Sequence, residues 1–284
     1  YPLTPPASLP VSAAADQALV RLELSDAIGV LPLRAAPHVF GTAHALRRFL
    51  QRSLPEHLIA LPTADPLAGL TLPAAPPLPD GLRRRWPDAG AAVLAATPAV
   101  LGGLPIDHAV APVDYPGGEV AAGARLREFL GGGLAGYDER RNEPDADATS
   151  RLSPYLHFGH LSVHEVFVAL VRRERWSPAR LAPRGNGARR GWWRMSAGAE
   201  EFLDQLGTWR ELGFNLCAYR ADYDGYDTLP EWARRTLAAH AADRREHRYA
   251  LQQFEAAATH DPLWNAAQRQ LVREGRIHTY LRML

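Results

Sequence analysis

The most restrictive feature of this sequence is helical periodicity, broken by helix start and stop signals, throughout residues 119–284. In LSVHEVFVALVRRERW, Ser162 and Glu165 form a capping box, and the apolar residues that follow share one helix face. In HDPLWNAAQRQLVREG, Asp261 caps a helix at its start and Gly275 ends it. The pattern therefore predicts an all-helical region over 119–284.

The part of the chain before this region has a different character. A helix is predicted from Thr42, and residues 60–118 are rich in Pro, Gly and Ala with little periodicity, which is typical of a linker. Within residues 1–41, VRLELSDAIGVLPLR contains apolar residues at every second position, which predicts a strand. These residues are Val20, Leu22 and Leu24.

Composition sets broad limits on the class of protein. Hydrophobic residues make up 46% of the 284 residues, which is enough for a substantial core. The net charge is +1, and all 32 basic residues are Arg. Codon bias in a GC-rich genome explains the lack of Lys best. A phosphate-binding surface is the alternative, because the planar guanidinium fork matches phosphate oxygens.

Cysteine content and hydropathy indicate the cellular compartment of the protein. Cys217 is the only cysteine, so no internal disulfide can form, and no Cys/His cluster has metal-ligand spacing. No apolar run is long enough for a membrane span. We therefore predict a reducing, cytoplasmic location, no membrane and no metal. Because the chain starts at Tyr1 and stops inside the helical pattern RIHTYLRML, we also expect it to be incomplete at both ends.

The stretch TSRLSPYLHFGHLS, over residues 149–162, concentrates polar groups at a helix start. Ser153 suits the N-cap of a helix with Pro154 as its first residue, and the hydroxyl groups of Thr149 and Ser150 lie just before them. The unpaired N–H groups of a helix start favour phosphate. Ordinary helix capping explains the same residues, and the spacing alone leaves both interpretations open.

Polar and aromatic residues within apolar helices also admit two interpretations. Arg210 and Glu211 lie on the apolar helix AEEFLDQLGTWRELGFNLCAY, either at a binding site or in a structural ion pair. Asn265 lies inside a predicted helix and is more simply solvated. The seven Trp residues fit a core, an electron relay or stacking on a planar ligand.

The order of these motifs resembles that of a known family. Tyr137, Arg141 and TSRLSPYLHFG, followed by FLDQLGTWRELGFN, THDPLWNAAQ and HTYLRM, are similar to the flavin-binding helical domain of the DNA photolyase/cryptochrome family, in particular its class II-like cyclobutane pyrimidine dimer photolyases. GVLPLR and TAHALRRFLQ resemble the junction with that family's N-terminal antenna domain.

The resemblance implies a mainly α fold in three parts. These are a short α/β remnant of the antenna domain at 1–41, a connecting helix and linker at 42–118, and a helical FAD-binding domain, incomplete at its C-terminus, at 119–284.

The resemblance also implies functional residues, position by position. The expected FAD contacts are Tyr137, Arg141, Thr149, Ser150, Leu152 and Arg282. The expected contacts with the DNA lesion are Gln205, Trp209, Thr279 and Met283, and Trp264 matches a member of an electron relay. Trp264, Trp209 and Gln205 are the expected catalytic residues. Gln205 stands where the family has Glu, and Thr279 where it has Asn or Gly.

The implied activity is light-driven repair of pyrimidine dimers in DNA by electron transfer from reduced FAD, the deoxyribodipyrimidine photo-lyase reaction. A second antenna chromophore and a monomeric intact protein are expected as well. We expect this chain by itself to bind FAD weakly and to repair little. Two alternatives stay open: a cryptochrome-like FAD photoreceptor without repair activity, and a helical DNA-binding fragment without a cofactor.

Overall fold

The computed structural model describes residues 28–74 and 77–283, and within these ranges the chain is helical and has no strand. The prediction of a mainly α fold is confirmed for this part. The predicted strand through Val20, Leu22 and Leu24 lies outside the described residues. The helices are α1 (Ala43–His57), α2 (Asp80–Arg85), α3 (Ala91–Leu94), α4 (Pro98–Gly102), α5 (Glu119–Glu128), α6 (Tyr137–Arg140), α7 (Ser153–His157), α8 (Val163–Arg173), α9 (Ala197–Leu203), α10 (Arg210–Tyr219), α11 (Glu231–Ala239), α12 (Leu251–Glu255), α13 (Pro262–Glu274) and α14 (Thr279–Arg282).

The predicted helix caps are present in the structure. The Ser162 hydroxyl accepts a hydrogen bond from the Glu165 backbone N–H at 3.0 Å, which starts α8. Asp261 accepts from the N–H groups at the start of α13, and Gly275 ends that helix in the left-handed conformation, with φ of 65°. Thr42 caps α1 through the Ala45 N–H. These signals are local, so the sequence alone was enough to locate them.

Two helical segments widen into π turns. A glycine run commonly ends a helix, but after α5 the chain continues as a π turn over Phe129–Gly133. A second π turn, Asp204–Trp209, joins α9 to α10. π turns are uncommon and occur often at functional sites, because they change the direction of the side chains that follow. The second π turn carries the predicted lesion contacts Gln205 and Trp209.

The described residues form two compact units, the first of 28–62, 116–251 and 278–283, and the second of 63–74, 77–115 and 252–277. The domain boundaries expected from the sequence stay a prediction. In the second unit, the short helices α2, α3 and α4 lie within the Pro- and Gly-rich region expected to be a linker.

The core of the first unit contains two aromatic clusters. Phe129 packs against Tyr137 and Phe202, with ring centroids 5.5 and 4.8 Å apart. In the other cluster, Trp193 lies 5.6 Å from both Phe167 and Trp176. A fully buried aromatic ring stabilises a fold by about 2–3 kcal/mol. These clusters hold α5, α6, α8 and α9 in place around the candidate site.

Helix α10 holds the segment 28–40 through polar side chains spaced four residues apart. Glu211 accepts a hydrogen bond from the Val30 N–H at 3.3 Å. Asn215 accepts from the Phe40 N–H at 2.9 Å and donates to the His38 carbonyl at 3.0 Å. Tyr219 donates to the Ala36 carbonyl. The polar residues of this apolar helix therefore satisfy the backbone of a distant segment.

Arg210, which precedes Glu211 in the sequence, also contacts the segment 28–40. Arg210 donates to the Ile28 carbonyl at 2.7 Å, and its guanidinium lies 4.6 Å from the centre of the Phe214 ring. Burial lowers the pKa of Arg210, and the neighbouring Glu211 raises it. A Cβ added to Gly29 would lie 2.3 Å from Glu211 Oε1, so a side chain there would displace the Glu211 carboxylate. Both Arg210 and Glu211 therefore form hydrogen bonds with the backbone of the segment 28–40, and a role at a binding site stays a prediction.

In the second unit, Asn265 is buried rather than solvated. Its Oδ1 accepts from the Thr259 N–H at 2.9 Å, and its Nδ2 donates to the Thr259 carbonyl at 2.8 Å. This residue therefore fixes the turn that leads into α13. On the same helix, the Trp264 ring packs edge-on against Phe254, with centroids 5.2 Å apart.

Candidate cofactor and substrate site

Tyr137 and Arg141 lie one helical turn apart, at the start of α6 and just after its end. Burial raises the pKa of Tyr137 to about 12, and Glu201 raises it further, whereas the Arg141 guanidinium lowers it. Arg141 Nε lies 2.8 Å from Glu201 Oε1. Tyr137 and Arg141, two of the six residues predicted to contact FAD, therefore lie next to a carboxylate of α9.

Glu201 is fully buried, and several donors converge on it. Arg189 pairs with its carboxylate, and Arg190 Nη2 lies 3.8 Å from Oε2. Gln205 Nε2 donates to Oε1 at 3.3 Å. A buried carboxylate is tolerated only when counter-charges and hydrogen bonds compensate its lost hydration. This cluster supplies both.

The other two carboxylates of this segment bind neighbouring elements. Asp204 forms a two-point ion pair with Arg47 of α1, at 2.7 and 3.1 Å. Glu200 accepts from the backbone N–H groups of Gly191 and Met195. The apolar pattern of this helix gave no indication of what these three acids bind. The signal that could have revealed them is three carboxylates within five residues of a buried helix, since each buried charge needs a partner.

A small cavity of about 40 Å³ lies beside this cluster. Its lining includes Arg47, Asp204, Glu200 and the indole rings of Trp192 and Trp193. A cavity of this size is too small for a planar cofactor. It belongs to the packing around α9.

Residues 149–152 form a turn whose backbone is fixed from outside. Arg125 donates to the Ser150 carbonyl at 2.9 Å and to the Thr149 carbonyl at 3.3 Å. The Ser150 hydroxyl accepts from the Leu152 N–H at 3.4 Å, and Leu152 is buried. Helix α7 begins at Ser153 with no side-chain cap, so Ser153 is not the capping residue that the sequence suggested.

The chemistry of this turn fits a phosphate-bearing ligand. Within the described residues, the Thr149 hydroxyl has no hydrogen-bond partner, and the Ser150 hydroxyl only accepts, so both protons are available to donate. Both side chains are half-buried. Hydroxyl donors on a turn that is held rigidly suit anionic oxygens.

The remaining predicted residues lie at the surface or in the second unit. Trp209 is 51% exposed at the end of the π turn, and Met283 is 70% exposed after α14. Thr279 and Arg282 of α14 are exposed as well. Trp264 belongs to the second unit. Among the predicted residues, the structure thus groups Tyr137, Arg141 and Gln205 around Glu201.

Sequence comparisons find related proteins that share a name. No family model matches the chain. The deoxyribodipyrimidine photo-lyases of Potorous tridactylus, Methanothermobacter thermautotrophicus and Oryza sativa are 36%, 39% and 40% identical over 182, 172 and 172 residues. These matches cover 64%, 61% and 59% of this chain but 31%, 34% and 30% of the relatives. The chain therefore spans about a third of the length of the curated relatives it matches.

A solved structure that this chain resembles is also that of a photolyase. A bacterial class III photolyase from Agrobacterium tumefaciens matches 100% of this chain and 52% of its own, with a TM-score of 0.62 and 19% identity. That likeness defines the fold as the helical architecture of a photolyase. Together with the sequence relatives, it supports the resemblance of the chain to the DNA photolyase/cryptochrome family. The class II-like subdivision stays a prediction.

Across the described residues, no helix is both long and apolar enough to cross a membrane.

Proposed function

We propose that this chain is part of a light-driven DNA repair enzyme that binds FAD and splits pyrimidine dimers. The observation that carries the proposal is the 36–40% identity with three proteins named deoxyribodipyrimidine photo-lyase. The order of the motifs from Tyr137 to Met283 supports it independently. We further propose that the intact protein is a cytoplasmic monomer with a second antenna chromophore.

The proposed FAD contacts divide into two groups by chemistry. Thr149 and Ser150 would donate hydrogen bonds to phosphate oxygens, and Arg141 and Arg282 would supply positive charge. Leu152 and Tyr137 are buried and would pack beside the cofactor. When FAD is bound, reduced and excited by light, it supplies the electron that opens the cyclobutane ring of the dimer. The protein's part is to position cofactor and substrate and to keep competing reactants out.

The proposed lesion contacts lie on the π turn and on α14. Trp209 is half-exposed, so its ring is free to pack on the face of an extruded pyrimidine. Met283 and Thr279 are exposed, and they would line the same pocket. Extruding a damaged base costs less than extruding a normal one, because the lesion already stacks poorly. Gln205 would hydrogen-bond the lesion, and Trp264 would serve in electron transfer.

A basic segment is the proposed contact for the DNA backbone. Residues 172–194 contain eight Arg and a single acid, Glu174. All eight Arg are exposed: Arg172, Arg173, Arg175, Arg180, Arg184, Arg189, Arg190 and Arg194. Within the described residues, Arg184 and Arg194 form no ion pair. Guanidinium groups on such a segment would bind phosphates without reading the base sequence.

The cofactor part of the proposal is tested by titrating the protein with FAD and following flavin fluorescence. We expect saturable binding, with one FAD per chain. The variant that combines Thr149→Ala with Ser150→Ala should bind about 100-fold more weakly or worse, since two charge-assisted hydrogen bonds are lost. The exposed hydroxyl variant Thr236→Ala is the matched control and should bind as the wild type does. Equal affinity of all three proteins would refute these FAD contacts.

The substrate part is tested with an oligonucleotide that contains one thymine dimer. Under blue light and reducing conditions, the intact protein loaded with FAD should restore the undamaged oligonucleotide, and it should not do so in the dark. Gln205, in place of the Glu of related enzymes, favours a cryptochrome-like photoreceptor as the second candidate. Light-induced changes in the flavin spectrum without any dimer repair would support that candidate and exclude the enzyme.

A further inference from the structure

The side chain of Gln205 is held in one orientation by Glu201, which lies one helical turn earlier. Gln205 Nε2 is 3.3 Å from Glu201 Oε1. An ionised carboxylate only accepts hydrogen bonds, so the part of the amide that faces it must be the NH₂ group. The Gln205 carbonyl oxygen therefore points away from Glu201.

The carbonyl oxygen of Gln205 is available to a ligand. In the part of the chain that the structure describes, this oxygen has no hydrogen-bond donor, and it is not among the buried atoms without a partner. It is therefore accessible to solvent. Gln205 thus presents an acceptor outward, as a glutamate would, although its side chain is uncharged.

The orienting carboxylate is itself firmly held. Glu201 is fully buried, and Arg141 and Arg189 pair with it directly, with Arg190 nearby. These guanidinium groups compensate the charge of the Glu201 carboxylate, which acts only as a hydrogen-bond acceptor. Rotation of the Gln205 amide would place its carbonyl oxygen against the carboxylate, which is repulsive. The geometry therefore specifies a single orientation.

We propose that Glu201 is a positioning residue for substrate binding. It directs the Gln205 carbonyl oxygen toward the substrate, where it accepts a hydrogen bond from an N–H donor such as the imide N–H of a thymine ring. The inference rests on the proposed function, in which Gln205 contacts the pyrimidine dimer. Because Glu201 also binds Arg141, one buried carboxylate connects the proposed cofactor side with the substrate side.

Two variants separate this role from a purely structural one. In Glu201→Gln, residue 201 offers both a donor and an acceptor, so the Gln205 amide loses its fixed orientation. We expect about threefold to tenfold weaker binding of dimer-containing DNA, the effect of one hydrogen bond. In the double variant with Gln205→Glu as well, the new amide at 201 donates to the new carboxylate at 205, whose second oxygen restores the acceptor. Binding should return to within about twofold of the wild type.

The thermal midpoint of unfolding distinguishes the two explanations. Both variants lose the pairing of residue 201 with Arg141 and Arg189, so both should be less stable than the wild type. A positioning role restores binding in the double variant without restoring stability. A purely structural role leaves binding as weak as in the single variant, and that result would overturn the inference. Glu231→Gln, which removes an exposed carboxylate from α11, is the matched control for charge and should change neither quantity.

Binding is measured by fluorescence anisotropy with dimer-containing and undamaged oligonucleotides, and the amide orientation by NMR on the protein without DNA. The Gln205 side-chain NH₂ protons should exchange slowly in the wild type and rapidly in Glu201→Gln, whereas rapid exchange in both would overturn the inference. Wild-type protein that does not prefer damaged DNA would refute the proposed function instead, and the amide signal would then decide the inference alone. A wild type that prefers damaged DNA and a Glu201→Gln variant with equal affinity would overturn the inference only.

Discussion

A buried ion pair between Asp204 and Arg47 joins α9 to α1. The side chains are 3% and 12% exposed, so removal of the carboxylate would leave the Arg47 guanidinium without its counter-charge in a poorly hydrated place, with only the Gly187 carbonyl as a partner. We expect Asp204→Ala to lower the free energy of unfolding by about 3 kcal/mol, as measured by urea denaturation.

The matched control for this variant is Asp222→Ala, which breaks an exposed pair with Arg220. Water already screens that pair, and a change in stability should not be measurable. An equal effect of both substitutions would show that burial does not determine the contribution of these ion pairs.

Tyr137 makes stability depend on pH in the alkaline range. Its pKa is raised to about 12 in the folded chain, chiefly by burial, whereas an unfolded tyrosine ionises near pH 10, or about two units lower. The folded state keeps a proton that the unfolded state loses, so the contribution is complete below about pH 10 and is lost as the pH rises toward 12. The expected decrease is about 1.4 kcal/mol per pH unit within this window.

The variant Tyr137→Phe has no proton to release and should lack this part of the decrease. Urea denaturation of both proteins across the window measures the difference. Tyr223→Phe removes an exposed phenol and should keep the wild-type profile, because Tyr137 remains. Parallel profiles for wild type and Tyr137→Phe would contradict the expectation.

At the scale of elements, Asn215 is the residue through which α10 fixes the segment 28–40. Its side chain is buried and makes hydrogen bonds with the Phe40 N–H and the His38 carbonyl. Asn215→Ala would leave both groups unpaired, at a cost of about 2 kcal/mol. Amide hydrogen exchange at Phe40 should become about 30-fold faster, because the protecting bond is absent.

Thr236→Ala provides the comparison for this experiment, since Thr236 only bonds the carbonyl one turn earlier on the exposed α11. That variant should leave exchange at Phe40 unchanged. Unaltered exchange in Asn215→Ala would mean that other contacts hold the segment.

Capping residues close together in the sequence predicted where helices begin. The hydrogen bonds of polar side chains within the helices depend on partners that are distant in the sequence. The caps at Ser162 and Asp261 could be predicted because donor and acceptor lie within three residues of each other. Glu211 could only be recognised as out of place, because its partner is separated by 181 residues. The Phe129–Gly133 π turn was missed because glycine normally ends a helix, and here the chain continues through it.

The candidate site was predictable to a similar degree. The motifs indicated Tyr137, Arg141 and Gln205, but they gave no sign that one buried carboxylate, Glu201, connects them. That connection arises where α6 meets α9, and periodicity within either helix does not report it. The motifs therefore predict the types of contact but not the residue that organises them.

At the scale of the whole molecule, the proposed DNA contact is electrostatic and should depend on salt. If residues 172–194 bind phosphates, affinity for damaged and undamaged duplexes should fall together as NaCl rises from about 50 to 200 mM, and their ratio should stay constant. The variant that combines Arg184→Gln with Arg194→Gln should lower both affinities, and the slope of log affinity against log salt should decrease by about 2.

The control for this pair is Arg235→Gln on α11, which removes an exposed guanidinium outside the basic segment and should leave the slope unchanged. The lesion and the backbone are recognised by different chemistry in this proposal, so the variant with both substitutions in the basic segment should not alter the preference for damaged DNA. A preference that decreases with salt, or that is lost with Arg184 and Arg194, would place these arginines at the lesion rather than on the phosphates. Gln205 and Trp209 are uncharged, so salt does not screen their contacts with the lesion. In that case, the preference for damaged DNA that remains at high salt would come from these two residues.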